Sequence, residues 1–231
     1  MRYQFVIFLL LSQIIPSCQN KQTKTDWSDM AKYAKENKVL KQQTDPNRIV
    51  FMGNSITEFW KRDDPAFFEG KPYVNRGISG QTTPQMVLRF PADVIELKPA
   101  VVVILAGIND IAENSGPISL QEIFENIVSM AAMARRNNIK VILSSVLPAY
   151  DFPWRSGLQP AEKIIKLNGM IQLYANKNQL EYVDYYSAMV DERKGLDKEY
   201  AADEVHPNLA GYKVMAPLLE KAITKTMSKN K

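Results

Sequence analysis

The sequence predicts an α/β fold: a three-layer, doubly wound, parallel five-stranded sheet of the flavodoxin-like kind. Three observations lead there. Five apolar runs of strand length alternate with stretches of helical periodicity, as in a parallel sheet whose strands are joined by crossover helices. The strongest runs, Ile49 to Met52 and Ala100 to Leu105, are unbroken instead of alternating, which fits strands covered on both faces. The 231 residues suffice for one ordinary domain with a full core and are short for two, and no internal repeat is visible. For this number of strands the order 2-1-3-4-5 is the simplest expectation.

The first element is not part of that sheet. Met1 and Arg2 give a short positive start, Phe5 to Leu11 is continuously apolar, and Ile15-Pro16-Ser17-Cys18 follows. Seven apolar residues are too few to span a bilayer, so residues 1–17 read as a secretory signal peptide. An apolar residue, the small Ser17 and then Cys18 resemble the lipobox of bacterial lipoproteins. The resemblance implies that Cys18 is lipidated, that residues 18–25 are a tether, and that residues 26–231 form a single domain held at the cell envelope by its lipid. The alternative is a plain cleaved signal and a free thiol.

Beyond the tether, Trp27, Met30, Ala31 and Ala34 recur at helical spacing behind a possible cap at Asp26. The first strand spans about Arg48 to Met52, and Tyr73 to Arg76 is a weaker second. Pro84 suits the first turn of a helix capped by Thr83. The third strand, Ala100 to Leu105, leads to a helix opened by the capping box Ser119/Glu122, with its apolar stripe at Ile123, Ile127, Met130 and Ala134. Lys140 to Leu147 is the fourth strand, Ala161 to Asn176 a helix, Leu180 to Tyr185 the fifth strand, and Asn208 to Thr226 the last helix.

Composition narrows the function. A hydrophobic fraction of 45% and a charged fraction of 23% are those of a water-soluble domain. The net charge of +4 is modest and its lysines are dispersed except near the end, so no nucleic-acid partner is expected. Cys18 and His206 are the only residues of their kinds, which leaves no internal disulfide and no zinc site of the usual sort, and no Asp-rich loop has ligand spacing. No metal is expected.

Ser55 follows the first strand in Gly53-Asn54-Ser55, at the sheet edge where open α/β sheets bind ligands. On that stretch alone it is equally a nucleophile or a helix cap. The other strand ends carry Gly80 and Asn109, and Asp203 and His206 follow the fifth strand. A serine nucleophile needs a base, and His206 is the single histidine available. Asp203, on the same short turn, can orient that imidazole, whereas Glu204 points elsewhere. Backbone N–H groups of Ser55 and Gly80 and the Asn109 amide would serve as oxyanion donors. Taken singly, Gly80, Asn109 and His206 also fit turn or cap roles, and Ser79 is a rival nucleophile.

Gly53-Asn54-Ser55, Gly77-Ile78-Ser79-Gly80, Gly107-Ile108-Asn109-Asp110 and Asp203-Glu204-Val205-His206 resemble, in order, the four blocks of the SGNH hydrolases, or GDSL-type esterases. The chain departs from Gly-Asp-Ser-Leu with Asn54 for Asp and Ile56 for Leu. The resemblance implies the SGNH hydrolase fold and an ester hydrolase with Ser55 as nucleophile, His206 as base, Asp203 as its orienter and no cofactor. The expected substrate is a short acyl ester, acetyl foremost, on a carbohydrate or similar small polar alcohol. The alternatives are a lysophospholipase or thioesterase on the same site, and a non-catalytic glycan-binding lipoprotein. Asn54, Trp60, Trp154 and Arg155, with Phe59, Tyr150 and Phe152, are candidates for the pocket wall or its rim, against ordinary packing.

Overall fold

The computed structural model describes residues 26–228, so the apolar leader, Cys18 and the polar tether lie outside the described residues. Strands β1 (Ile49–Gly53), β2 (Tyr73–Gly77), β3 (Val101–Leu105), β4 (Lys140–Ser144) and β5 (Glu181–Val183) form one parallel sheet in the order β2-β1-β3-β4-β5. This is the expected 2-1-3-4-5 arrangement. Every residue of β1 and β3 is buried, as their unbroken apolar runs require. β4 and β5 are shorter than the apolar runs that predict them: past Ser144 only the Ser145 N–H still reaches across, to the Val183 carbonyl at 2.9 Å, and Val146 and Leu147 stay buried as loop, while the exposed Asp184 follows the end of β5.

The helices are α1 (Ala34–Leu40), α2 (Ser55–Asp63), α3 (Thr83–Asp93), α4 (Ile108–Ile111), α5 (Leu120–Arg136), α6 (Pro160–Lys177), α7 (Tyr186–Met189) and α8 (Leu209–Ser228). α2 and α8 share one face of the sheet, where the Tyr212 hydroxyl donates to the Ile56 carbonyl at 2.9 Å; α3, α5 and α6 pack side by side on the other. The capping box predicted for α5 is present: Ser119 N–H donates to the Glu122 carboxylate at 2.9 Å, and Glu122 N–H to the Ser119 hydroxyl at 3.2 Å. α3 starts one residue away from its expected cap. Thr82 caps it and is bonded by Gln85, while Thr83 turns its hydroxyl and N–H to Asp110.

The amino-terminal segment differs more from expectation. Asp26 accepts from the Ala31 N–H at 2.9 Å and closes turns, and helix α1 begins only at Ala34. Trp27 and Met30 stay exposed, at 52% and 40%. Docking is instead polar: Tyr33 donates to the Gly77 carbonyl at 2.5 Å, Gln81 to the Ser28 carbonyl at 2.7 Å and Gln85 to the Trp27 carbonyl at 2.6 Å. No helix among the described residues is long and apolar enough to cross a membrane.

Candidate active site

β1 delivers the chain to Asn54, whose side-chain oxygen accepts from the Ile56 N–H at 3.1 Å and caps α2, so that Ser55 is the helix's first residue. The helix start lies hard against β2: a Cβ at Gly77 would run into the Glu58 amide nitrogen and the Asn54 carbonyl, so only glycine fits there. Of the two roles the sequence left open for Ser55, the cap falls to Asn54, and Ser55 is the first helical residue with its hydroxyl held at the sheet's carboxyl edge. Its Oγ lies 2.9 Å from His206 Nε2.

His206 stands on the loop before α8. Asp203 Oδ2 is 2.8 Å from His206 Nδ1, and Asp203 Oδ1 accepts the backbone N–H groups of Val205 and His206, both at 2.7 Å. A carboxylate only accepts, so Nδ1 carries the proton and Nε2 is left to accept from the Ser55 hydroxyl. Burial acts to raise the Asp203 carboxyl, but the N–H of His206, its imidazole and the N–H of Val205 outweigh it and hold the group below the ordinary carboxylate range. Glu204 faces Arg193 at 3.5 Å instead. The loop is closed by an Ala201–Pro207 bridge and by Asn208, which donates to the carbonyls of Glu199 and Ala201 at 2.9 and 3.2 Å.

The ends of β2 and β3 complete the edge. Gly80 has φ +77°, and a Cβ there would meet no protein atom within 4 Å. The left-handed backbone, and not crowding by the protein, is what calls for glycine. Asn109 is buried and gives one amide hydrogen to the Gln81 carbonyl at 3.0 Å, which leaves the second for a ligand. Asp110 beside it accepts from the Thr83 N–H and hydroxyl at 2.9 and 2.6 Å, tying the two loops together. Burial, opposed by the Thr83 hydroxyl and N–H, raises its pKa to about 6. Ser79, the rival nucleophile, donates its hydroxyl to Glu58 at 2.6 Å and has no such bond to the imidazole.

Beneath these loops lies a polar floor that the sequence reading missed. Arg89, fully buried, donates to the Gly53 carbonyl at 2.9 Å, the Arg76 carbonyl at 2.9 Å, the Gln81 side chain at 2.5 Å and Asp93 at 2.8 Å. One side chain thus holds the ends of β1 and β2 and the start of the Gln81 turn. Arg76, also fully buried, donates to Asn37 at 2.8 and 3.0 Å, and Asn37 donates to Asp93 at 2.6 Å. The available signal was Arg89 and Asp93 on the same α3 stripe as Met86 and Phe90: charges on a face that must be buried.

The rim candidates separate. Trp60 is not a wall: it is 2% exposed and stacks on Phe67 and Tyr212 at 4.5 and 5.4 Å. Five residues on from Ser55, it lies about 140° round α2 and faces α8. Asn54 is buried and its side-chain oxygen is spent on the cap, so it too is no wall residue. Arg155 donates to the carbonyls of Ala112 and Glu113 at 3.2 and 2.6 Å and so pins its own loop. Phe152 is core. Trp154 and Phe59 do flank the imidazole, with ring centres 6.2 and 5.4 Å from that of His206. Among the described residues, no cluster of three or more His, Cys, Asp or Glu is placed to hold a metal ion.

Comparison with known proteins gives consistent results. The family of GDSL-like lipases and acylhydrolases matches residues 51–214, which include the four blocks of the site. A GDSL-like lipase from Bacteroides thetaiotaomicron has the same fold, with a TM-score of 0.82 and 48% identity over 86% of this chain and 98% of that one. Esterase TesA from Pseudomonas aeruginosa is 33% identical over 184 residues, 74% of this chain and 85% of the relative. An uncharacterized lipoprotein, YqeF, from Bacillus subtilis is 34% identical over 125 residues, 53% of this chain, and the match spans 42% of that relative's length.

Proposed function

The chain belongs to the GDSL-like lipase and acylhydrolase family, the SGNH hydrolases, and from that premise we propose that it is a serine carboxylic-ester hydrolase that removes a short acyl group, acetyl foremost, from a carbohydrate or similar small polar alcohol. The observation that carries the proposal is the hydrogen-bonded chain from Ser55 Oγ through His206 to Asp203, at 2.9 and 2.8 Å.

In this mechanism the Ser55 oxygen attacks the ester carbonyl carbon while its proton passes to His206 Nε2. The carbonyl π electrons move to oxygen, and the oxyanion accepts from the N–H groups of Ser55 and Gly80 and the free amide hydrogen of Asn109. The positive end of α2 favours the same charge. Collapse breaks the carbon–oxygen bond to the alcohol, which leaves with the proton from His206. Water then repeats the sequence on the acyl-serine, and the acid departs. Asp203 stays ionised, holds the tautomer and offsets the imidazolium charge.

A fluorophosphonate probe should label Ser55, and turnover of an activated acetate ester should vanish in Ser55→Ala and in His206→Ala without a large fall in melting temperature. An inert, unlabelled wild-type protein would sink the esterase reading. A panel of acyl chains of increasing length ranks acetate against the longer chains that a lysophospholipase or thioesterase would prefer.

We further propose that Cys18 carries a lipid and anchors the enzyme to the membrane of a bacterial envelope; the lipobox-like start and the partial similarity to the Bacillus lipoprotein support this. A Cys18→Ala variant should move to the soluble fraction, and unchanged membrane association would count against the anchor.

A further inference from the structure

Two large exposed aromatic rings stand on one loop, and one of them, Trp154, has its ring centre 6.2 Å from that of His206. Trp154 is 47% exposed, yet it is fixed: its indole N–H donates to Asn114 at 3.2 Å and its ring rests on buried Phe152 at 5.4 Å. Tyr150 is 52% exposed, with the Arg193 guanidinium 5.3 Å from its ring centre. Their loop is locked from behind by Arg155 on the Ala112 and Glu113 carbonyls, and by Asp151, which accepts from the Gly157 N–H at 3.0 Å. Exposed rings ordinarily gain by turning inward; here the Trp154 ring is held by its indole hydrogen bond and by Phe152, and the Tyr150 ring by the Arg193 guanidinium, so a flat ligand binds at little ordering cost.

A cleft of about 490 Å³ opens next to this platform and reaches Asp203. Pro153 and Leu196 give it apolar surface, and Arg193, Lys198 and Glu204 give it charged groups. The charges nearly balance, since Arg193 is already paired with Asp191 at 2.8 Å and with Glu204 at 3.5 Å. Neither a strong anion nor a strong cation is favoured there, and the charged lining disfavours an alkyl chain. What suits flat apolar faces bordered by many donors and acceptors is a neutral sugar: its ring offers C–H faces to the aromatics and its hydroxyls bond at the edges.

We infer that this face is a saccharide subsite. The alcohol portion of the ester is a neutral oligosaccharide whose rings lie on Trp154 and Tyr150 and whose hydroxyls reach Arg193, Lys198 and Glu204 in the cleft. The inference rests on the esterase reading for its place in the reaction, but the binding is separately measurable.

Calorimetric titration of full-length Ser55→Ala protein with xylotetraose, mannotetraose and cellotetraose should show binding of at least one. In that background Trp154→Ala and Tyr150→Ala should each weaken it about tenfold or more, the scale of an aromatic anchor, with Trp154→Phe restoring much of the loss. Unchanged circular dichroism guards against misfolding. No binding by any of the three sugars, equal affinity in the variants, or displacement of the sugar by lysophosphatidylcholine would each overturn the subsite. Turnover of a small activated acetate by the wild type separates the two readings: activity without sugar binding removes the subsite alone, and sugar binding without activity removes the esterase.

Discussion

Ser55 stands on a floor of buried polar contacts, whereas His206 stands on a surface loop that braces itself. Under Ser55, Arg89 and Asp93 are nearly inaccessible and bind the ends of β1 and β2 and the Gln81 side chain together. Around His206 the bonds are local: the Asp203 carboxylate takes the N–H groups two and three residues ahead, and Asn208 closes the turn. The floor determines the fold and the site at once, while the loop determines only the site. The two carboxylates show the same division. Asp110, buried where the Thr83 and Asn109 loops meet above the floor, is raised by burial to about 6, and Asp203, in the surface loop, is held low by its hydrogen bonds despite partial burial.

If this division is right, loop variants should lose rate and floor variants should lose stability. The largest effect is expected for Asp203→Asn. An asparagine oxygen can still take the Val205 and His206 N–H groups, but its amide would donate to Nδ1, shift the imidazole proton to Nε2 and leave Ser55 without an acceptor. kcat on an activated acetate should fall by roughly 10⁴-fold with the melting temperature nearly unchanged. An equal loss of stability would break the comparison.

Arg89→Met should do the reverse. It strands the Asp93 carboxylate and several acceptors in the interior, and urea unfolding should show a loss of about 3–5 kcal/mol. The pH dependence of stability sharpens the contrast. Asp110 binds its proton more tightly folded than unfolded, so its contribution is fully present below about 3.8 and is lost as pH rises to about 6. Relative to Asp110→Asn, wild type should weaken across that window by on the order of 2–3 kcal/mol, seen in unfolding midpoints at successive pH values. Asp203 has the opposite sign: its contribution is present above the ordinary carboxylate range and disappears as pH falls through its lowered value. The smallest effect is expected for Ser79→Ala, which removes an exposed hydroxyl bond to Glu58 and should change stability by no more than about 0.5 kcal/mol. Loss of fluorophosphonate labelling in that variant would reinstate Ser79 as the nucleophile.

The same division decides what was legible in the sequence. β1 and β3 were plain because a strand covered on both faces must be apolar throughout, and Ser55, Gly80, Asn109 and His206 were plain because each lies in a short block at a strand end or just before the last helix. The floor was hidden. Its bonds join Asn37, Arg76, Gln81, Arg89 and Asp93 across the chain, and no local periodicity records which donor meets which carbonyl. Trp60 misled for a related reason: closeness to Ser55 in sequence becomes separation once α2 winds past it. At the amino terminus, apolar spacing suggested a packed helix, but the segment docks by carbonyls and a tyrosine hydroxyl, which a hydrophobic pattern does not register.

That docking has a mechanical consequence. Ser28 and Tyr33 grip the Gln81 side chain and the Gly77 carbonyl, on either side of Gly80. A pull applied to the chain ahead of Asp26 would load the Trp27 bond to Gln85 and then these bonds before it reached any strand of the sheet, so tension at that end would be felt by the start of α3 and the turn that carries Gly80.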